Sequence, residues 1–215
     1  MSATSDGGQD PSTPLQAARS RGVDQLLHYT TQKGVHGTIA SHAILSRAQL
    51  DDEDYLVHIR EPVWPRKDPR WINHISLSVT TINDLLFSQS RYHYPHLWWA
   101  VFAIDPAILD DEGVVFTTTN NIFPAVNRAP GVDGFESMFA KEVEGRWGAI
   151  STRAGVGDAQ PTDRAAEVLY PARIGSGHIQ AVYVLEPDHR NLILAWCEAL
   201  GHPDLAVEVR PNVFT

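Results

Sequence analysis

The strongest constraint on the fold comes from residues 97–104, whose sequence LWWAVFAI is almost continuously apolar. A short apolar run of this kind is typical of a strand that is buried on both faces. Such a strand needs hydrogen-bonded neighbours on both sides and packed layers above and below it. The segment therefore predicts the centre of a β-sheet.

Patterns elsewhere in the chain supply the rest of the predicted architecture. Strand patterns occur at residues 25–31, 74–80, 113–117, 165–171, 179–185 and 205–209, and helical patterns at residues 32–42, 83–91, 134–140 and 189–200. This mixture indicates an α+β fold with a split, mostly antiparallel β-sheet flanked by helices. Residues 1–20 are rich in Ser, Thr, Gly, Asp and Pro and are predicted to be a disordered tail. Residues 21–215 are predicted to form a single domain.

Composition indicates a cytoplasmic protein. The chain has 215 residues, of which 43% are hydrophobic, and its one cysteine, Cys197, excludes an intrachain disulfide framework. We find no secretory leader and no apolar run long enough to cross a membrane. The net charge of −9 argues against tight, sequence-independent binding to nucleic acid.

An acidic side chain, Glu167, stands at the mouth of the apolar strand pattern in AAEVLYP. Acidic residues are depleted in strands, so this position predicts either a solubilising group on an edge strand or a carboxylate directed into a site. The segment alone does not separate the two interpretations.

Two distant strand patterns carry further polar groups. Residues 25–31 place His28 and Thr30 on the same face, because side chains alternate along a strand. Residues 74–80 place Ser78 on a face lined with hydroxyl groups, opposite an apolar face. A lone histidine is often a core residue bonded to a carbonyl group, and strand hydroxyls are often merely exposed, so structural roles stay open for both.

The order of a His, a row of hydroxyls and a Glu on three strands resembles the site of ADP-ribosyltransferases. From about residue 26 to residue 214 the chain is similar to the DarT-type nucleic-acid ADP-ribosyltransferases, which are toxins that transfer ADP-ribose from NAD to a DNA base. Four stretches carry the resemblance: LLHYTTQKGVHGTIASHAILSRAQL, INHISLSVT, VVFTTTNNIFPAV with GFESMFA after it, and QPTDRAAEVLYPARI. The resemblance implies an ADP-ribosyltransferase-like fold with NAD as co-substrate, bound without a Rossmann motif.

The resemblance also implies roles for individual residues. Glu167 is expected to stabilise the cationic transition state or to accept a proton, and the residues expected to bind NAD are His28, Tyr29 (through its backbone), Thr30, Ser78 and Phe87. Arg47 is expected to act with Glu167 by gripping the NAD diphosphate, with Arg60 and Arg70 as alternatives. A core role remains open for Phe87, because apolar helix residues usually pack inside.

The acceptor is predicted to be single-stranded nucleic acid, held by the basic, aromatic segment 60–71. Its contact residues are expected to be Trp64, Arg66, Lys67 and Arg70, since cations and flat rings suit an unstacked strand. The two tryptophans of this segment can instead pin a Pro-rich loop to the core. Transfer to protein or RNA, NAD hydrolysis, and a non-catalytic binding module are the alternative functions. A macrodomain antitoxin is an expected partner, and no metal is predicted because the histidines lack ligand spacing.

Overall fold

In the computed structural model, the described part of the chain, residues 10–52 and 69–215, contains twelve strands, six α-helices and five short 3-10 helices. The strands are β1 Leu26–Thr31, β2 Ala43–Leu45, β3 His74–Val79, β4 Trp99–Ile104, β5 Val115–Thr117, β6 Arg128–Ala129, β7 Glu142–Glu144, β8 Ile150–Thr152, β9 Glu167–Pro171, β10 Arg173–Gly175, β11 Ile179–Val184 and β12 Val207–Val209. The helices are α1 Pro14–Ser20, α2 Gln32–Ser41, α3 Arg47–Asp52, α4 Asp84–His93, α5 Gly131–Ser137 and α6 Pro187–Leu200.

One eight-stranded sheet organises the molecule, in the order β12-β11-β4-β1-β3-β9-β5-β6. All neighbouring strands are antiparallel except β11 and β12. The central position predicted for residues 97–104 is confirmed, because all six residues of β4 are buried between β1 and β11. The pairs β2–β10 and β7–β8 form two small separate ladders. The predicted α+β class with a mostly antiparallel sheet is therefore confirmed.

The two faces of the sheet carry different layers. A large apolar cluster on one face contains residues of α1, α2, α5 and α6. The other face carries a smaller cluster that includes Leu27, Phe87 of α4, Trp99 and Phe214. Asn83 caps α4 by accepting a hydrogen bond from the Leu86 N–H at 3.1 Å, which fixes where this helix begins over the second face.

Part of the predicted N-terminal tail is wrong, because residues 14–20 form α1. Thr13 caps the helix through its side chain, and Pro14 occupies the first turn, where a missing N–H is tolerated. Ala17 and Ala18 have no exposed surface, and α1 packs on α5. The overall composition of residues 1–20 concealed this helix, whose two buried alanines allow a close approach to the domain. Residues 1–9 lie outside the described part.

Candidate active site

Glu167, the first residue of β9, is held through both its backbone and its carboxylate. Its Oε2 atom accepts a hydrogen bond from the Asn121 N–H at 2.8 Å. Its own N–H donates to Thr117 Oγ1 at 3.0 Å, and Thr117 lies directly opposite it on β5. The side chain is half-buried, so the carboxylate is oriented by the protein while it stays within reach of a ligand.

Asn121 is in turn fixed by Arg128 of β6. The guanidinium donates from Nε to Asn121 Oδ1 at 2.7 Å and from Nη2 to the Asn121 carbonyl oxygen at 2.5 Å. The same guanidinium lies 5.8 Å from the centre of the Trp71 ring. Neither Asn121 nor Arg128 was predicted from the sequence to belong to the site, since neither lies near Glu167 along the chain. The repeated Thr and Asn residues of FTTTNNIF were the available signal.

Asp163, four residues before Glu167, joins the neighbouring loops. It is buried, and its Oδ2 lies 3.1 Å from Thr119 Oγ1 and 3.3 Å from Ser151 Oγ. A Cβ atom at Gly145 would lie 2.7 Å from Asp163 Oδ2, so glycine is needed there for the close approach. Asp163 therefore ties the β7–β8 hairpin to the segment that holds Glu167.

The tip of this hairpin displays a tryptophan to solvent. Trp147 is 88% exposed, has a positive φ of 58°, and lies under the Arg146 guanidinium at 3.8 Å from its ring centre. A positive φ is uncommon for a bulky residue and marks local strain. The strands of this hairpin, β7 and β8, were not among those predicted from the sequence.

The rest of the loop before Glu167 is anchored to the sheet. Thr80, at the end of β3, has a φ of 63° and donates from Oγ1 to the Ala159 carbonyl oxygen at 2.7 Å. Arg153 donates to the carbonyl oxygens of Gln160 at 2.5 Å and Gly157 at 2.9 Å. These hydrogen bonds hold residues 157–160 of the loop that precedes Glu167.

Glu167 lies on the hydroxyl-bearing face of β3. Ser76 pairs with Leu169, and directly opposite residues share a face of the sheet. Because side chains alternate, Glu167 lies on the same face as Ser76 and Ser78. Both serines are half-buried, whereas the alternate residues of β3 are buried, as the sequence pattern predicted.

Tyr29 lies on the same face. Ser78 pairs with Leu27, and Leu27 and Tyr29 share a face because side chains alternate along a strand. Its ring contacts Phe87 at 5.2 Å and Trp99 at 6.0 Å between centroids. Burial raises the pKa of the Tyr29 phenol well above its usual range; a hydrogen bond with Ser90 opposes this rise, and the negative charge of Glu167 adds to it. The effect of the Glu167 charge on this pKa is consistent with the strand register, which places both side chains on one face of the sheet.

The sheet splits between β1 and β3. The ladder contains only two residue pairs, Leu26↔Val79 and Leu27↔Ser78. Beyond them the Ser76 carbonyl oxygen lies 3.1 Å from Nδ1 of His28. A histidine side chain thus reaches the carbonyl group that a continuous ladder would have paired with the backbone of β1.

The backbone of Tyr29 faces this split. The Gln32 N–H donates to the Trp98 carbonyl oxygen at 3.1 Å, which continues the β1–β4 ladder by one pair. Hydrogen-bonded pairs alternate along an antiparallel ladder, so Thr30 and His28 also direct their backbone groups to β4. Tyr29 therefore directs its N–H and C=O toward β3, where the ladder has ended.

His28 and Thr30 share a face, as predicted, but it is the face opposite Glu167. His28 pairs with Phe102, whose side chain belongs to the larger apolar cluster under α2. Because a carbonyl oxygen only accepts, Nδ1 carries the hydrogen, and Nε2 is the acceptor of the neutral ring. A Cβ at Gly34 of α2 would lie 1.9 Å from Thr30 Oγ1, so glycine makes room for this hydroxyl. A ligand that contacts both His28 and Glu167 has to pass through the split.

The predicted NAD-stacking role of Phe87 is contradicted by its position. Its side chain is 1% exposed and packs edge-on against Tyr29 and Trp99, with Phe214 at 5.8 Å. No ring face is left for a nicotinamide ring. Phe87 instead supports Tyr29 from behind, which is the core role expected of an apolar helix residue.

Arg47 begins α3 at the far end of β9 from Glu167. The preceding Ser46 donates from its N–H to the Ala172 carbonyl oxygen at 2.7 Å and from Oγ to Asn73 Oδ1 at 3.0 Å. Four residues of β9 span about 13 Å at the usual rise of a strand. Arg47 and Glu167 therefore lie near opposite ends of β9.

Of the predicted acceptor-binding residues, Arg70 is exposed beside Trp71, near Arg128. Trp64, Arg66 and Lys67 lie outside the described residues, as does Arg60.

Within residues 10–52 and 69–215 no group of three or more His, Cys, Asp or Glu side chains is arranged to hold a metal ion. In the same ranges, no helix is both long enough and apolar enough to cross a membrane.

Comparisons with known proteins agree with this geometry. The sequence model of a family described as DarT, ssDNA thymidine ADP-ribosyltransferase, matches residues 27–215. No curated protein matches the chain. The fold is similar to that of Thermus sp. 2.9 DarT in complex with NAD+, with a TM-score of 0.61 and 10% identity over 89% of this chain and 98% of that one.

Two further structures share the fold. Thermus sp. 2.9 DarT in complex with ADP-ribosylated ssDNA gives a TM-score of 0.59 at 10% identity, over 90% of this chain and 97% of that chain. Thermosipho africanus DarTG in complex with ADP-ribose gives 0.55 at 14% identity, and the 89% of this chain that aligns spans 51% of that longer protein. The match of the family's sequence model covers most of the chain, so this protein belongs to the DarT family of single-stranded DNA thymidine ADP-ribosyltransferases.

Proposed function

We propose that this protein transfers ADP-ribose from NAD to a thymine base of single-stranded DNA, with Glu167 beside the bond that breaks. The observation that carries the proposal is the fixed carboxylate of Glu167, which accepts the Asn121 N–H at 2.8 Å on the face of the sheet where the β1–β3 ladder opens. Family membership supplies the reaction class. NAD is the co-substrate, as in the complex of the Thermus protein.

In this reaction the bond between C1′ of the ribose and the nicotinamide nitrogen breaks, and nicotinamide leaves with the bonding electrons. Positive charge then develops at C1′, and a carboxylate stabilises such a centre. In DNA the ring nitrogen of thymine that carries a hydrogen is N3. We assign Glu167 to stabilise the charge at C1′ and to accept the N3 proton as N3 bonds to C1′.

The split in the sheet suits a long, bent dinucleotide. Tyr29 directs its backbone N–H and C=O into the split, and these groups match the carboxamide of nicotinamide, which has one acceptor and two donors. On the opposite face His28, with Thr30 beside it, is assigned to the ribose of the adenosine half. Ser78 shares the face of Glu167 and contacts the nicotinamide ribose. Arg47, or Arg70 as the alternative, binds the diphosphate.

The DNA acceptor is expected on the Glu167 side, and two parts of the described chain supply exposed rings and cations for it. Trp147 offers a flat face that is 88% exposed, with the Arg146 guanidinium next to it, and Arg70 is exposed nearby. Stacking on aromatic rings and contact with cations are the means by which proteins hold unpaired strands. Trp64, Arg66 and Lys67 are proposed to extend this surface.

A cellular role as a toxin follows from the chemistry, because a base modified at its pairing edge cannot template replication. We propose a cytoplasmic protein of one domain, with residues 21–215 as its body and α1 packed on it. Its partner is proposed to be a macrodomain that removes ADP-ribose, in view of the similarity to Thermosipho africanus DarTG.

Transfer to protein is a second candidate, favoured by the net charge of −9, which weakens binding to a polyanion. The test is to incubate the protein with NAD and matched acceptors and to measure their masses. The acceptors are a single-stranded oligonucleotide with one thymine, the same oligonucleotide with cytosine instead, its duplex, an RNA of equal sequence, and cell lysate. We expect ADP-ribose on the single-stranded thymine oligonucleotide, less on its duplex because the base must leave its stack, and none on the other acceptors.

Modification of the cytosine oligonucleotide would refute a thymine target. Modification of lysate proteins, with the oligonucleotides left unchanged, would establish the second candidate. Release of nicotinamide at equal rates with and without any acceptor would instead indicate NAD hydrolysis. A Glu167→Gln variant serves as the blank in each reaction.

A further inference from the structure

A row of polar side chains crosses three neighbouring strands of the sheet and begins at Glu167. Glu167 of β9 is paired with Thr117 of β5, and Thr117 is in turn paired with Arg128 of β6. Directly opposite residues share a face of the sheet, so Arg128 lies on the face of Glu167. The neighbour of Thr117 along β5, Phe116, belongs to the large apolar cluster on the opposite face, which agrees with this assignment.

The guanidinium of Arg128 is fixed in place but is not neutralised by an acid of the described chain. Two of its five N–H groups bind Asn121, through Nε at 2.7 Å and Nη2 at 2.5 Å. None of the ion pairs formed among the described residues includes Arg128. The side chain is half-buried on β6, the last strand of the sheet. A held guanidinium that keeps its charge and further N–H groups is suited to bind an anion.

The strand order places Arg128 on the side of Glu167 that faces away from the split. The split lies between β1 and β3, and β3 adjoins β9 on one side, whereas β5 and β6 follow on the other. In the proposed reaction nicotinamide pairs with the Tyr29 backbone, so the bond from C1′ to nicotinamide runs toward the split. A nucleophile approaches C1′ from the side opposite the leaving group. The acceptor therefore arrives over β5 and β6, the side on which Arg128 lies.

The spacing along the row matches the length of one nucleotide. Neighbouring strands lie about 4.8 Å apart, so the backbone of Arg128 is about 10 Å from that of Glu167 across β5. The bonds to Asn121, whose N–H binds Glu167 Oε2, direct the guanidinium back toward the carboxylate. A thymine whose N3 lies at the carboxylate thus places a phosphate of its own strand within reach of Arg128.

We propose that Arg128 binds a phosphate of the DNA acceptor next to the thymine that is modified. The proposal rests on the proposed function for the identity of the acceptor and for the position of nicotinamide. The same guanidinium holds Asn121, so one residue joins the backbone of the acceptor to the group that orients Glu167. The diphosphate of NAD offers the same chemistry, and the experiment separates the two sources.

The test measures the affinity of a fluorescein-labelled single strand with one thymine, by anisotropy and without NAD. In a matched set of strands, each of the two phosphates on either side of the thymine is replaced in turn by an uncharged methylphosphonate. The variants are Arg128→Gln, which removes the charge, and Arg128→Lys, which keeps the charge but loses the fork to Asn121. Arg19→Gln, at an exposed position of α1 over the opposite face of the sheet, is the matched control. The KM for NAD is measured on the same preparations.

We expect Arg128→Gln to weaken binding of the unmodified strand about 10-fold, the usual effect of one hydrogen bond to a charged group. Its slope of log Kd against log salt should fall by about 0.7, the value for one phosphate contact of a single strand. In the wild type, one methylphosphonate position should weaken binding to a similar extent. In Arg128→Gln the same position should have no further effect, because the two changes remove one contact.

The remaining proteins separate the phosphate contact from the hold on Asn121. Arg128→Lys should bind the unmodified strand within about 3-fold of the wild type, because an ammonium group still attracts a phosphate as a point charge. Arg19→Gln should bind it as the wild type does. The KM for NAD should be unchanged in Arg128→Gln, since the diphosphate lies elsewhere.

Unchanged affinity of Arg128→Gln for the unmodified strand would overturn the proposal, as would equal methylphosphonate effects in this variant and the wild type. A raised KM for NAD with unchanged affinity for DNA would assign the guanidinium to the diphosphate of NAD. Arg128→Met, which keeps the apolar stem, answers the same question if Arg128→Gln does not fold. Failure of the proposed function has a different result, because the wild type would then leave the thymine unmodified in the presence of NAD, whatever the affinities of the variants.

Discussion

Two parts of one sheet face are held by different contacts. We call them the Glu167 corner, formed by Glu167, Asn121 and Arg128, and the Tyr29 corner, formed by Tyr29, Phe87 and Trp99. Around Glu167 the contacts are polar and run from Arg128 to Asn121 and on to the carboxylate. Around Tyr29 they are aromatic, with Phe87 and Trp99 packed against the ring. Hydrogen bonds fix direction at little net gain in stability, whereas aromatic burial contributes strongly to stability.

The difference indicates that orientation and stability are supplied by separate residues in this site. A change in the Glu167 corner should impair the reaction in a protein that still folds. A change in the Tyr29 corner should destabilise the fold first. Five substitutions test this division.

Phe87→Ala should lower the free energy of unfolding by about 3–5 kcal/mol, because it leaves a cavity under Tyr29 where the ring is now fully packed. Urea unfolding followed by circular dichroism measures the change. Leu85→Ala, on the same helix at a 58% exposed position, should change stability by less than about 0.5 kcal/mol. If Phe87→Ala were as stable as the control, the aromatic corner would not be a source of stability.

Glu167→Gln should lower kcat for ADP-ribose transfer about 100- to 1000-fold, since the shape stays and the charge at C1′ is no longer balanced. The unfolding midpoint should stay close to that of the wild type. Glu144→Gln, at an exposed position of β7, is the matched control and should leave kcat unchanged. An active Glu167→Gln protein would remove this carboxylate from the reaction.

Arg128→Lys should lower kcat about 5- to 10-fold, because an ammonium group cannot replace the two bonds of the guanidinium fork to Asn121. A steady-state assay at saturating NAD measures the effect. Arg173→Lys, an exposed position on β10, controls for the loss of a guanidinium elsewhere. A change in stability with no change in kcat would mean that Arg128 only braces the fold.

His28→Ala should weaken NAD binding about 5- to 10-fold and so reduce the rise in Tm that NAD produces. The apo protein should melt within a few degrees of the wild type. Thermal melts at several NAD concentrations measure the rise in both proteins, and His178→Ala, at an exposed turn, serves as control. An unchanged rise would place His28 outside the NAD site.

Tyr29→Phe should show its distinctive effect at alkaline pH. The folded-state pKa of the Tyr29 phenol is raised, so the unfolded chain loses this proton first as the pH climbs, and stability falls above about pH 10. Removing the hydroxyl should make this alkaline loss of Tm less steep, with a small drop of Tm near pH 7 because the hydrogen bond with Ser90 is lost. Parallel melts between pH 7 and 11 test it, and identical slopes would contradict the buried phenol.

Sequence alone identified the strands that meet at the site, because alternation on β1 and β3 and the single acid on β9 are local patterns. It also gave the correct face for Ser78. It did not predict that His28 and Glu167 lie on opposite faces, since that depends on the register among three strands. Nor did it predict the hydrogen bond that orients the Glu167 carboxylate, because Asn121 donates it from its backbone N–H, which no side-chain pattern reveals.

Two errors have the same physical origin. The composition of residues 1–20 predicts a tail that includes residues 14–20, and the family resemblance predicts an NAD contact for Phe87. Tertiary packing decides both: α5 covers Ala17 and Ala18, and three aromatic rings enclose Phe87. Burial of this kind depends on neighbours that are far apart in the chain.

The early end of the β1–β3 ladder also bears on how the protein avoids aggregation. Unpaired backbone groups along a strand are a template on which another chain can add. Here the two outer strands of the sheet, β6 and β12, have only two and three residues. The backbone of Tyr29 instead opens inside the sheet, between strands that already have partners. A small molecule can enter there, whereas a foreign strand would have to force two halves of the sheet apart.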